Sequence, residues 1–523
     1  MPWKFPRRLA LLVVLAGGVA ACRGTESAPQ RRTLIDSRDT YDPKSLDPAQ
    51  ATDVPTGRAV SYVFDGLTRL TPSAELRPGL AARWDISDDG KIYTFHLRRG
   101  VRFQDGTPFG AAQVRHSFER VLREGSRRWP FYPIAGARDF SDGKAQSIRG
   151  LAVLDDSTVR ITLDTALAVF PKMLAMPIAA IVPDSIPASF AQHPVGTGPW
   201  RLVEWKHDDY LLFARNPTNW GAAAQMDSLM ARIIPEPSTA VAEFESGNVD
   251  LLYVPEAETQ RWEHTDEKSA LLVSAPALRL WYVAINTTRG PLKDPRVRQA
   301  LNYAIDVRTI VDKLIGGRGR LAAGVVPPSL PGADTARKPY GYDPAKAKQL
   351  LAAAGYPNGF AVQLWRGQDP AFARVAESIQ AYLGQVGVKV EIVQRDANAV
   401  RAAAFNGQTD LYIKDWWADY PDAEDFLYPL LHGANRGSGG NVSFYANPAY
   451  DKLVSQARVT QDDAKRTAAY RQADSLEFAD APMIYLFFYN DLYAVQPWIR
   501  GFEVPTIFYA EPMTTVAIKR APR

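Results

Sequence analysis

Residues 77–109 read RPGLAARWDISDDGKIYTFHLRRGVRFQDGTPF. At their centre, Ile92–Leu97 (IYTFHL) alternates apolar and polar residues, the period-two pattern of a strand with one buried face. Just before it, Asp85-Ile86-Ser87-Asp88-Asp89-Gly90 has the outline of a calcium loop. It lacks a glutamate at the twelfth position, and clusters of Ser, Asp and Gly serve turns, so a turn between strands is expected.

Working outward, similar runs recur at Thr158–Leu163 (TVRITL), Tyr210–Ala214 (YLLFA), Leu280–Ile285 (LWYVAI), Val388–Val393 (VKVEIV) and Ile484–Phe488 (IYLFF). Helical stretches lie between them, and four share one start signal: Asp294-Pro295, Asp343-Pro344, Asp369-Pro370 and Asn447-Pro448. The Asp or Asn side chain caps an early N–H, and proline at the first helical position loses no helical bond. The spacing of Val297, Leu301, Ala304, Ile305 and Val311 predicts one helix over 295–315. A second helix, 343–354, stops at Gly355. Thr460 and Asp463 suggest a loose capping box before a last long helix. Mixed strands and helices throughout predict an α/β or α+β architecture.

The whole chain has 523 residues, long enough for about three or four domains. Its 61 Lys+Arg against 57 Asp+Glu give +4, too even for a dedicated nucleic-acid binder. The single cysteine excludes an internal disulfide. Lys4, Arg7 and Arg8 precede the apolar run Leu9–Ala21, which is too short to span a hydrocarbon layer and matches an export signal. Removal of residues 1–21 would leave 58 basic against 57 acidic residues, since Lys4, Arg7 and Arg8 go and no acid goes.

Chemical motifs are sparse. The six histidines (His96, His116, His193, His207, His264, His432) form no HExxH or short zinc-ligand cluster. There is no GxSxG elbow and no phosphate-binding GxxxxGK[ST]. Gly317–Ala322 fits GxGxxA but follows a predicted helix, so a flexible loop is expected. These readings point away from an enzyme, and no cofactor is expected.

What remains is a set of long strings in order: SLDPAQATD (45–53), DGLTRL (65–70), the 77–109 stretch, GTGPWRLVEW (196–205), ARNPTNWG (214–221), DPRVRQALNYAIDVRTIV (294–311) and DWWADYPDAEDFL (415–427). From about residue 33 to about 515 the chain resembles the extracytoplasmic solute-binding proteins of ABC importers, family 5, the peptide- and nickel-binding cluster. Val19-Ala20-Ala21-Cys22 likewise resembles a lipobox, with valine for the commoner leucine. The resemblance implies lipidation at Cys22 and a polar tether over 22–32; the alternative is an ordinary signal and a buried cysteine. A departure lies at 108–114 (PFGAAQV), where Gly110 weakens a helix cap and Gln113 replaces a first-turn acid.

The resemblance implies a two-lobed periplasmic-binding-protein fold (type II, cluster C) that closes like a Venus flytrap, with an extra domain. Domain I would combine 33–60, 196–278 and 492–523; domain II would be 61–195 and domain III 279–491. Chain crossings between lobes would fall near Leu278–Trp281 and Tyr489–Leu492. The implied ligand is a short peptide passed to the permease subunits by a monomer in the periplasm or at the cell surface, with no nucleic acid involved. A nickel chelate, haem, sugar, opine or other amphipathic solute is the alternative. Asp419 would accept the peptide's α-ammonium, or else serve the turn before Tyr420-Pro421. Trp416 and Trp417 would wall the pocket, one of them at a time, because strand neighbours face opposite ways. Arg366 and Arg436 are candidate carboxylate partners, or exposed surface arginines. Tyr485 and Phe487, and Tyr62 and Asp65 from the other lobe, would line the cleft or belong to the core.

Overall fold

The structure, a computed structural model, describes residues 33–519. The signal 1–21, Cys22 and the tether 22–32 lie outside the described residues.

The quoted stretch forms part of a four-stranded antiparallel sheet, in the order Ala81–Ile86, Ile92–Leu97, Thr158–Thr162, Leu151–Asp155. Its alternation is realised: Tyr93, Phe95 and Leu97 are buried while Ile92, Thr94 and His96 are only half-buried. The strand runs through Asp85 and Ile86, and the chain turns over Ser87–Gly90. Ser87 Oγ donates to Asp89 Oδ1 at 2.6 Å, Asp85 pairs with His96 at 2.7 Å, and Gly90 takes φ +68°. Among the described residues no cluster of three or more His, Cys, Asp or Glu could hold a metal ion. The helix Ala111–Glu124 follows. Gln113 repairs the weak cap, since its Oε1 accepts from Gly110 N at 2.8 Å.

The second sheet has eleven strands. Its order is Lys389–Gln394, Ala361–Arg366, Leu411–Trp417, Leu272–Ile285, Met483–Val495, Leu251–Tyr253, Thr33–Asp39, Ser228–Ile233, Tyr210–Arg215, Trp200–Lys206, with Gly319–Leu321 also paired to Met483–Val495. The sheet's two halves are joined through two long antiparallel strands, Leu272–Ile285 and Met483–Val495. Their register breaks between Pro276 and Leu280, beside the expected crossing points.

Three local expectations change. The 295–315 stretch is two helices, Pro295–Tyr303 and Val307–Leu314, because Asp306 accepts from Thr309 N at 3.0 Å and starts a new helix. The last long helix, Asp463–Asp480, is capped by Asp462 and not by Thr460, which closes the preceding helix. Gly317–Ala322 is not a loose loop: Gly319–Leu321 pairs with Phe487–Tyr489. In register Gly319 faces Tyr489, 170 residues away, so local sequence could not reveal it.

The string at 294–311 works as a clamp. Arg298, 4% exposed, donates to the carbonyls of Leu292, Lys293, Asp480 and Ala481. Asn302 donates to Met483 O at 2.9 Å and accepts from Tyr485 N at 3.0 Å. Together they fix the second half's helices to the strand Met483–Val495. Apolar packing covers both faces of this half. Val297, Leu301, Ile310, Val375 and Ile379 lie with Trp281 and Ile413 on one face; Phe426, Leu427, Tyr450 and Tyr470 lie with Tyr282 on the other. No helix among the described residues is long and apolar enough to cross a membrane.

Candidate functional site

Asp419 follows the strand Leu411–Trp417 by two residues, and distant segments converge on it. Its Oδ1 accepts from Arg127 Nη1 at 2.8 Å, across 292 residues of sequence. Its N–H donates to Asp425 Oδ2 at 2.8 Å, and its carbonyl accepts from the Tyr509 hydroxyl at 2.7 Å. The Asp419 side chain is 14% exposed and that of Arg127 36%. Burial raises the pKa of the Asp419 carboxyl and Arg127 opposes it. Asp425 is pushed well above the carboxylate range, first by burial and then by the Asp419 charge. Asp425 therefore keeps its proton more firmly, and Asp419 carries the charge of the pair. The result is a desolvated anion held by one guanidinium that is itself partly in water.

The segment around it is clasped from the same direction as Arg127. Lys172 Nζ donates to Pro421 O at 2.9 Å and to Asp422 Oδ2 at 2.7 Å, and the Trp129 ring centre lies 6.2 Å from that of Tyr420.

The two tryptophans divide between the strand's faces. Trp416 lies on the Asp425 side, where its indole lowers the pKa of that acid. Trp417 lies on the other side, its ring 4.4 Å from the Arg279 guanidinium. Arg279 Nε and Trp417 Nε1 both donate to Asp415 Oδ2, at 2.8 and 2.9 Å. Close by, Arg318 stands between the rings of Tyr253 and Tyr489, 4.9 and 5.0 Å from their centres. Tyr253 donates to Asp491 Oδ1 at 3.2 Å, and Arg279 and Arg318 partly offset the rise that burial gives Asp491. These charges sit where the two long strands join the halves of the sheet.

The other expected site residues stand apart from Asp419. Tyr485 is buried, with its hydroxyl on Glu477 and its ring against Phe478 and Tyr340. Phe487 packs on Trp281, ring centres 5.4 Å apart. Tyr62, 1% exposed, accepts from Arg38 Nη2 at 3.0 Å and meets Phe213 edge-on. Asp65 accepts from Thr197 Oγ1 and Trp220 Nε1, both at 2.8 Å. Arg366 Nη2 donates to Gln394 Oε1 at 2.7 Å, and exposed Arg436 donates to Gly433 O of its own loop at 3.2 Å. Three charged neighbours of the 415–422 segment escaped sequence reading. Arg279 had a faint signal as a cation inside the apolar run ALRLWYVAI, whereas Arg127 and Lys172 had none.

Residues 75–438 match the bacterial extracellular solute-binding proteins, family 5 Middle. The chain belongs to family 5 of the bacterial extracellular solute-binding proteins. It is 32% identical to the heme-binding protein A of Haemophilus influenzae, over 94% of this chain and 95% of that protein. It is also 32% identical to the glutathione-binding protein GsiB of Pectobacterium atrosepticum, over 91% and 92% of the two. Among solved structures, the periplasmic binding protein DppA of Helicobacter pylori in complex with peptide STSA aligns with TM-score 0.77 and 28% identity, covering 94% of this chain and 99% of that one. This family 5 solute-binding protein therefore has the two-lobed α/β fold and serves as the binding component of an ABC importer. Proteins of this family are solute-binding proteins.

Proposed function

We propose that this solute-binding protein captures short peptides between two lobes and presents them to an ABC permease. In this reading one lobe comprises 33–60, 196–278 and 492–523 with 61–195 attached, and the other comprises 279–491. Asp419 takes the α-ammonium of the ligand, which replaces Arg127 on the carboxylate. The observation carrying the proposal is the Asp419 carboxylate itself: 14% exposed, hydrogen-bonded to one partly exposed guanidinium, and reached from segments on both sides of the join. A desolvated ammonium needs a fixed anion, and such a carboxylate provides one. The named ligands of two relatives, glutathione and the peptide STSA, both present an α-ammonium and support the class. A lipid on Cys22 would tether the monomer to the membrane beside its permease.

Calorimetry with Ser-Thr-Ser-Ala and its N-acetylated form tests this. Loss of a buried charge pair is worth about 2–5 kcal/mol, so acetylation should weaken binding about 30-fold or more. Equal affinities would remove Asp419 from ammonium recognition. They would turn the reading toward solutes without an amine, such as the haem in the name of the Haemophilus influenzae relative.

A further inference from the structure

On the strand Leu411–Trp417, Tyr412, Lys414 and Trp416 alternate on one face and are each half-buried. Tyr282 lies directly opposite Lys414 in the register and is fully buried. Lys414 Nζ is 5.9 Å from the centre of the Tyr282 ring, 5.9 Å from that of Tyr412 and 5.6 Å from that of Trp416. Among the described residues the ammonium has no hydrogen bond and no ion pair. Asp415, the next residue, faces away and is taken by Arg279 and Trp417. The Tyr282 hydroxyl is buried without a hydrogen-bond partner as well, while the Trp416 indole is turned to Asp425.

Lys414 thus stands in a recess walled by three aromatic rings with no anion paired to it. A secluded ammonium without an anion is costly, and an orphaned buried donor forfeits about 1–3 kcal/mol. The neighbouring charges do not relieve this. Arg401, from the helix Ala397–Phe405, repels the ammonium, and only the averted Asp415 attracts it. Burial brings the Lys414 pKa down to about 8.

We propose that this recess holds a side-chain carboxylate of the bound ligand, so that the protein selects peptides carrying an acidic side chain beyond the residue at Asp419. The proposal rests on Asp419 as the ammonium site. Trp416 lies between the two, against Lys414 on one side and Asp425, the neighbour of Asp419, on the other. Asp419 lies five positions after Lys414, at most about 17 Å of extended chain. A tripeptide of about 10 Å with a glutamate side chain covers that span.

The test is calorimetry at pH 7 on wild type and Lys414→Met with two matched pairs: Ala-Glu-Ala with Ala-Gln-Ala, and Ala-Ala-Glu with Ala-Ala-Gln. A charge-assisted bond makes one acidic peptide bind wild type about tenfold or more tighter than its glutamine twin. In Lys414→Met the ratio falls to about one, the value for a lost charge partner. Acidic and amide peptides binding wild type alike overturn the recess while leaving the peptide reading intact. A ratio that survives in Lys414→Met overturns it too, and failure of all four peptides to bind removes both proposals. A second measurement needs no variant. At pH 8, in buffers of different ionisation enthalpy, the tighter-binding acidic peptide should take up a fraction of a proton as Lys414 becomes fully charged. Its glutamine twin should not, and identical proton counts speak against the recess.

Discussion

Arg127 Nη1 and Asp419 Oδ1 stand 2.8 Å apart, joining two segments that lie 292 residues apart in the chain. If ligand and arginine compete for one carboxylate, removing the arginine must help the ligand. A partly exposed ion pair is worth about 0.2–1 kcal/mol, so Arg127→Ala should tighten Ala-Ala-Ala binding by up to about fivefold. Asp419→Ala should weaken it by about 2–5 kcal/mol. Calorimetry on both variants checks this, and a loss above tenfold in Arg127→Ala would show that the arginine binds ligand instead of guarding the site.

Much of the frame is readable from local pattern. Strand alternation around Tyr93 and Phe95, and the Asp-Pro helix starts, need only neighbours in sequence, so they appear where periodicity and capping chemistry place them. The failures share the opposite cause. Gly319–Leu321 becomes a strand because a distant edge offers it hydrogen bonds, and Arg127 reaches Asp419 only once two distant segments meet. Asp306 is a different case, since its helix-starting side chain was visible but the apolar spacing ran straight through it. At the site, the opposite facing of Trp416 and Trp417 follows from strand geometry, whereas Tyr62 and Tyr485 satisfy their hydroxyls inside the two halves.

The Asn302 amide joins the helix Pro295–Tyr303 to the strand Met483–Val495 through Met483 O and Tyr485 N. Asn302→Ala leaves both backbone groups unpaired in the core. Each orphaned group costs about 1–3 kcal/mol, so urea unfolding should show a loss of at least about 2 kcal/mol. An unchanged midpoint would mean that the clamp is held elsewhere.

Arg318 links the two halves of the sheet. Its Nη1 donates to Val254 O at 2.5 Å, its Nε to Asn490 O at 3.4 Å, and its charge helps offset the burial of Asp491. Arg318→Met keeps most of the stem but removes the charge. Hydrogen bonds to charged groups are worth about 1.5–3 kcal/mol, and a loss of that size is expected in denaturant unfolding. A neutral result would assign the support of Asp491 to Arg279 and Tyr253.

Two buried acids make the fold sensitive to pH in an unusual direction. Burial pushes Asp474 up to about 6 against the pull of Arg337, and Glu511 up to about 7 against that of Arg38. Glu511 Oε1 accepts from Met513 N, while Oε2 is buried without a partner. Each acid holds its proton more firmly folded than unfolded, where the values are 3.8 and 4.5. Their stabilising contribution is complete below the unfolded values and is lost as pH rises through about 6 for Asp474 and about 7 for Glu511. Each displacement is worth on the order of 3 kcal/mol. The melting temperature should therefore fall between pH 5 and pH 8. Glu511→Gln carries no charge to bury, so it should match wild type near pH 5 and exceed it at pH 8. Melting curves of the two proteins across that range decide the matter, and parallel pH profiles would show that the Glu511 carboxylate is solvated in solution.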